Sequence, residues 1–248
     1  MDLPSGEGQP FHISHDETPT PTLIAGFSGS GLAGLVAAEF LVQELELEQI
    51  GHIVAETLPP FTPFEEGAPR HHSRLFADGG SGVTVLVNDL FIPPWATDSF
   101  GKAILEWADH NAVEEVTVLA GIPVKHGPTD RLVYYIATAD YRDEHRLPTA
   151  QLTPMGRGFL EGVNASLMSR GIDSPLRVGL LVTPVRSVTP DIDAAVRLVE
   201  ATSSLYGLDT DPTPLATFGA EVEQYYHDLD ERNQREKDQK QSEDRMYM

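Results

Sequence analysis

"LIAGFSGSGLAGLVAAEFL", residues 23–41, is the stretch on which the fold depends. Leu23, Ile24 and Ala25 make a short apolar run behind the turn-forming "PTPT", which predicts a buried strand. Glycines at 29, 31 and 34 follow at once. From Leu32 onward Leu35, Val36, Phe40 and Leu41, with Leu45 after them, keep a spacing of three to four, which predicts an amphipathic helix. A strand that turns through glycines into a helix is the repeating unit of an α/β fold. It is also the context of the dinucleotide fingerprint G-x-G-x-x-G, met here by Gly29, Gly31 and Gly34. Glu56, 22 residues beyond Gly34, stands where an acid would reach a ribose hydroxyl. A reading without ligand is also open: such a turn can require φ > 0, and small residues at Gly31 and Gly34 let a helix sit close to a sheet.

Working outward, strands are predicted at "FHISHD" on an edge, at "GHIVAE", at "HHSRLFA" and "GVTVLVND" after a Pro-rich loop, and at "VEEVTVLAGIP", "LVYYIATA" and "LRVGLLV". Helices are predicted at "SFGKAILEWADHN", "GRGFLEGVNASLMSRGI" and "DIDAAVRLVEATSSLYG". The alternation predicts a single three-layer α/β domain around a central mixed or parallel sheet. Its expected bounds are residues 19–229, after a polar leader at 1–18 and before a polar tether at 230–248.

The chain has 248 residues, 40% of them hydrophobic, which is enough for one large core. Asp plus Glu outnumber Lys plus Arg by 38 to 17, for a formal charge of -21, and four of the basic residues are lysines. That balance argues against a nucleic-acid partner. The acids are scattered, as in a protein adapted to a salty, halophilic cytoplasm, and instability at low salt is expected. No cysteine is present, which removes disulfides, thiolate metal sites and cysteine nucleophiles. The start lacks the pattern of a secretion signal and no run of eighteen apolar residues occurs, so a cytoplasmic protein without membrane contact is expected.

Other chemical candidates are thin. His71 and His72 are adjacent, which in a strand sends them to opposite faces, and the remaining histidines show no metal-ligand spacing. "GFSGSG" fails the last glycine of a nucleophile elbow. Glu65 and Glu66 are neighbouring loop carboxylates of the kind usually solvated. No catalytic residue, metal or cofactor is assigned.

The end of the chain is unusual. Asp230 to Arg245, sixteen positions, carry no aliphatic or aromatic side chain, and then Met246, Tyr247 and Met248 finish the sequence. A helix with Val222, Tyr225, Tyr226 and Leu229 on one face is expected to pass into this flexible acidic tail, whose sixteen residues could span about 50 Å when extended.

Taken in order, several segments resemble the proteasome assembly chaperone 2 family, in particular its archaeal members. They are "LIAGFSGSGLAGLVAAEFL", "PPFTPFEEGAPRHHSRLFA", "LAGIP" at Leu119 to Pro123, "LTPMGRGFLEGVNASLM", "SPLRVGLLVTP" and "DIDAAVRLVEATSSLYGLD", covering roughly residues 20 to 210. The resemblance implies an α/β domain similar to the nucleoside phosphorylase architecture, commonly built into homo-oligomers and not an enzyme. It implies that the glycine loop belongs to the fold and is not a dinucleotide site. It further implies a docking role for the ending, a hydrophobic residue, a tyrosine and any residue. Met246 and Tyr247 would fill a pocket between α-subunits of the core proteasome, and the Met248 carboxylate would pair with a lysine there. The expected function is an assembly chaperone, a gate-opening activator, or both. The alternative is a nucleotide- or nucleoside-binding enzyme that uses Gly29, Gly31, Gly34 and Glu56.

Overall fold

The computed structural model describes residues 10–123, 132–149, 151–185 and 190–222. Its strands in chain order are β1 (Phe11–His15), β2 (Thr22–Phe27), β3 (Glu48–Ala55), β4 (Phe64–Glu65), β5 (Ala68–Pro69), β6 (Ser73–Ala77), β7 (Val83–Asn88), β8 (Glu115–Pro123), β9 (Val133–Ala137), β10 (Leu152–Pro154) and β11 (Arg177–Val185). The helices are α1 (Ala33–Glu44), α2 (Thr97–His110), α3 (Ala139–Glu144), α4 (Gly162–Ile172) and α5 (Ile192–Tyr206).

Nine strands form one sheet in the order β1-β3-β6-β7-β2-β8-β11-β9-β10, and β4 with β5 makes a separate ribbon. The four central strands β7, β2, β8 and β11 run parallel. β1, β3 and β6 add antiparallel on one side, and β9 pairs antiparallel with β11 on the other. All six residues of β7 are buried, because a central parallel strand is covered on both faces. The predicted single domain of three layers around a mixed sheet is therefore what the chain forms. The predicted edge strand is β1, which among the described residues bonds only to β3 and buries Phe11 against Phe100 of α2 with ring centroids 5.0 Å apart.

Two cores lie on the two faces of the sheet. Phe100, Ile104 and Leu105 of α2 and Leu167 of α4 pack one face; Ala37 and Leu41 of α1 and Leu198 of α5 pack the other. α5 starts where the Asp191 carboxylate accepts the Ala194 N–H at 3.0 Å, and stops at Gly207 in the left-handed conformation, φ 66°.

Three expectations are modified. The deepest face of α1 is Ala33, Gly34, Ala37, Ala38 and Leu41, whereas Leu35, Val36, Phe40 and Leu45 are only partly buried against the same core. Small side chains bring the helix axis closer to the sheet than large ones could. α4 begins at Gly162, not Gly156, because Gly162 has φ 64° and Glu161 before it is extended. After α5 the chain is helical again over 213–222 and buries Leu215; Tyr225, Tyr226, Leu229 and the tether lie outside the described residues.

Candidate functional site

The carboxyl ends of the parallel strands meet at one edge of the sheet, where α/β proteins bind ligands. β2 ends at Phe27, and the Ser28 N–H donates to the Asn88 carbonyl at 3.0 Å, tying the glycine loop to the end of β7. Gly29 is extended (φ -157°), and a 3-10 turn over Ser30–Leu32 follows, with Gly31 at φ 64° and Leu32 at φ 51°. Gly31 is required twice over. Its left-handed backbone disfavours a side chain, and a Cβ there would lie 2.9 Å from the Cβ of Val185. The Gly31 carbonyl accepts the Asp191 N–H at 2.8 Å, so this loop also positions the start of α5.

Beside the loop lies a cleft of about 1070 Å³, walled by Ser28 to Leu32, the β8 end from Leu119 to Pro123, Phe91 and Ile92, and the Phe159 to Gly162 segment that enters α4. Among the described lining residues Glu161 carries the one charged side chain, with no lysine or arginine. The nearest polar partners are Ser28, Ser30, Thr97 and Asn164. Such a wall favours apolar groups, and among the described residues it offers a phosphate no cation. Phe159 at 102% exposure and Phe91 at 66% stand on the rim, with Trp95 at 64% in the same loop as Phe91. Exposed aromatics gathered around one cleft are the mark of a contact surface.

A second polar assembly lies behind the loop. Arg74 of β6 reaches Asp89 at 3.2 Å and Glu39 of α1 at 3.5 Å, and Arg70 reaches Asp89 at 3.5 Å and Glu65 at 3.6 Å. Burial and the neighbouring Asp89 push the Glu39 carboxyl above its ordinary range, against the pull of Arg74 and Arg70. These guanidinium groups are already matched by carboxylates and are not spare anion hooks.

The residues of the dinucleotide fingerprint separate in space. Gly29, Gly31 and Gly34 line the cleft, but Glu56 does not. It is exposed after β3, three places from β2 in the sheet, with its N–H bonded to the Pro10 carbonyl at 3.1 Å. Met246, Tyr247 and Met248 lie outside the described residues. The sequence reading did not single out the aromatic rim: Phe91 and Trp95 fall beside Pro93 and Pro94 in a predicted connection, whereas Phe159 falls inside the helix predicted from Gly156.

Comparison with known proteins places this architecture. The sequence model of the PAC2 family matches residues 23–230. An uncharacterized protein of Methanocaldococcus jannaschii, MJ0106, is 22% identical over 218 residues, 88% of each chain. Pyrococcus furiosus PbaA, described as an archaeal homolog of proteasome-assembly chaperone, is similar in fold with a TM-score of 0.83 at 23% identity, over 96% of this chain and 100% of that one. Pyrococcus furiosus PbaB, described as an archaeal proteasome activator, gives a TM-score of 0.78 at 18% identity, over 90% of this chain and 100% of that one.

Proposed function

The chain belongs to the PAC2 family, and from that premise we propose that it is a non-enzymatic protein that docks onto the α-ring of the core proteasome, as an assembly chaperone, a gate-opening activator, or both. The observation that carries the proposal is the ending Met246-Tyr247-Met248 behind sixteen residues without an apolar side chain, attached to a domain of this family. An apolar side chain and a tyrosine ring fill a pocket between subunits, and a terminal carboxylate pairs with a lysine. The polar segment 230–245 serves as the tether. Several copies on a homo-oligomer raise avidity, because each further docking event is intramolecular. The descriptions of PbaA and PbaB support the two roles.

The test is binding of the purified chain to the core proteasome of the same organism in molar salt. Tyr247→Ala weakens binding by about tenfold to a hundredfold, as expected for a buried aromatic anchor. Adding Gly-Ser after Met248 does the same, because it removes the carboxylate from its position. Unchanged binding by both variants refutes the docking assignment. Hydrolysis of a fluorogenic peptide by the bound complex then separates activator from chaperone.

One observation favours a second reading, a nucleotide- or nucleoside-binding enzyme: the glycine loop does line a cleft large enough for such a ligand. The lack of a cation among the described lining residues and the distant Glu56 weigh against it. Calorimetric titration with NAD, ATP and nucleosides decides between the two readings. Micromolar binding of any of them, competed by the others and retained in molar salt, establishes a ligand site and overturns the non-enzymatic reading.

A further inference from the structure

Residues 56–72 leave β3, carry the small ribbon of β4 and β5, and present Phe61 and Phe64 at 68% and 75% exposure before returning to β6. Leu58 anchors the start of the segment in the core, and Arg70 ties its far side to Asp89 and Glu39, while the ribbon between them is exposed. A further contact is aromatic: the ring of His71 stacks on the ring of His52 from β3, with centroids 3.7 Å apart and planes within 7°.

The next residue continues inward. His72 Nδ1 is 2.7 Å from Ser73 Oγ, Ser73 donates to Asn88 Oδ1 at 2.6 Å, and Asn88 Nδ2 donates to the Leu90 carbonyl at 2.7 Å. Since the serine hydroxyl gives its one hydrogen to Asn88, it accepts from His72, which fixes the proton of that ring on Nδ1. The chain of bonds links the loop to Leu90, next to Phe91 on the rim of the cleft.

We infer that the stacked rings of His52 and His71 form a proton-sensitive latch, which holds residues 56–72 on the sheet edge while the pair is neutral and releases them when the pair takes up protons. Two stacked neutral imidazoles attract, and two stacked imidazolium rings repel. The surroundings do not cancel that repulsion. His12 and Asp16 face His52 from β1, and Arg74 lies opposite it in register on β6. Arg70 and Arg74 take up Asp89, Glu39 and Glu65, the carboxylates that would otherwise compensate. Burial lowers the pKa of His52, the adjacent His71 and His12 lower it further, and Asp16 opposes them. Burial also lowers that of His72, with His71 adding and Asp89 opposing. A histidine depressed in the folded state contributes its full stabilisation above its ordinary value of 6.5, and the contribution is lost as pH falls through the lower folded value. The release therefore belongs to the range below about pH 6.5. Metal capture is the other use of clustered imidazoles, but among the described residues no group of three His, Cys, Asp or Glu is arranged to hold an ion.

Amide hydrogen exchange of the full chain in molar salt, read by mass spectrometry at pH 7.5 and 5.5 and corrected for intrinsic rates, tests the latch. Peptides covering 56–72 are expected to exchange about tenfold faster at the lower pH, while β7 and β8 stay protected. His71→Phe and His52→Phe each keep a stacked ring and remove the charge, so either variant holds the loop at both pH values. Should one of them fail to fold by circular dichroism, the other gives the answer. Loop protection that is independent of pH in the wild type, or acid release that persists in both folded variants, overturns the inference.

Discussion

A methyl group placed on Gly34 of α1 would lie 2.0 Å from the carbonyl oxygen of Leu119 on β8. The helix after the glycine loop thus rests directly on sheet backbone, and packing accounts for that glycine without any ligand.

Gly34→Ala is accordingly expected to destabilise the fold by about 2 kcal/mol or more. Overpacking costs about 1–3 kcal/mol or more, and it outweighs the ~1 kcal/mol that alanine gains in a helix. Gly29 is extended and its Cβ would meet nothing nearer than the Phe27 carbonyl oxygen at 3.8 Å, so Gly29→Ala should change stability by less than about 0.5 kcal/mol. Urea unfolding in molar salt measures both. Equal losses would contradict the packing account.

The same contact shows what could be read in advance. Strands β2, β7, β8 and β11 were legible because each is a continuous apolar run, and α2 and α5 because large side chains recur on one face. The buried face of α1 was not, since spacing arguments follow large residues, whereas Ala33, Gly34, Ala37 and Ala38 make the contact. The antiparallel order β1-β3-β6-β7 depends on which distant strands meet, and local pattern does not encode that. The glycine loop was found, but its separation from Glu56 follows from the same strand order.

Glu115 of β8 is 3% exposed, with the His145 Nε2–H donating to its Oε2 at 2.9 Å and the Arg177 Nε–H at 3.3 Å. Burial pushes its pKa up, but His145, Tyr206 and Arg177 outweigh burial and leave it below the ordinary 4.5. A carboxylate depressed in this way stabilises the fold above pH 4.5, and the stabilisation is lost as pH falls through the folded value. Glu115→Gln should cost about 2 kcal/mol at pH 7, by removing the charged acceptor shared by His145 and Arg177, and should flatten the acid limb of the stability profile. An unchanged acid limb in the variant would contradict this role.

Asp191→Ala removes the cap of α5 while leaving the backbone bond from residue 191 to the Gly31 carbonyl. The expected loss is about 1 kcal/mol. Asp191→Asn, which keeps an acceptor, should recover most of it in thermal unfolding.

With a formal charge of -21, the chain should depend on screening. Moving from molar salt to about 0.1 M lengthens the Debye length from about 3 Å to about 10 Å. A loss of about 3 kcal/mol would lower Tm by roughly 6–12 °C for a chain of this size. A Tm that is flat or rises on dilution of salt would contradict adaptation to salt.

The central claim is that the last three residues dock the protein on the core proteasome. Co-sedimentation with the core particle of the same organism, in molar salt, tests it with the full chain and a chain lacking Met246 to Met248. The account predicts that the full chain sediments with the particle and that the shortened one, with an unchanged circular dichroism spectrum, stays in the supernatant. Equal sedimentation of the two would contradict it.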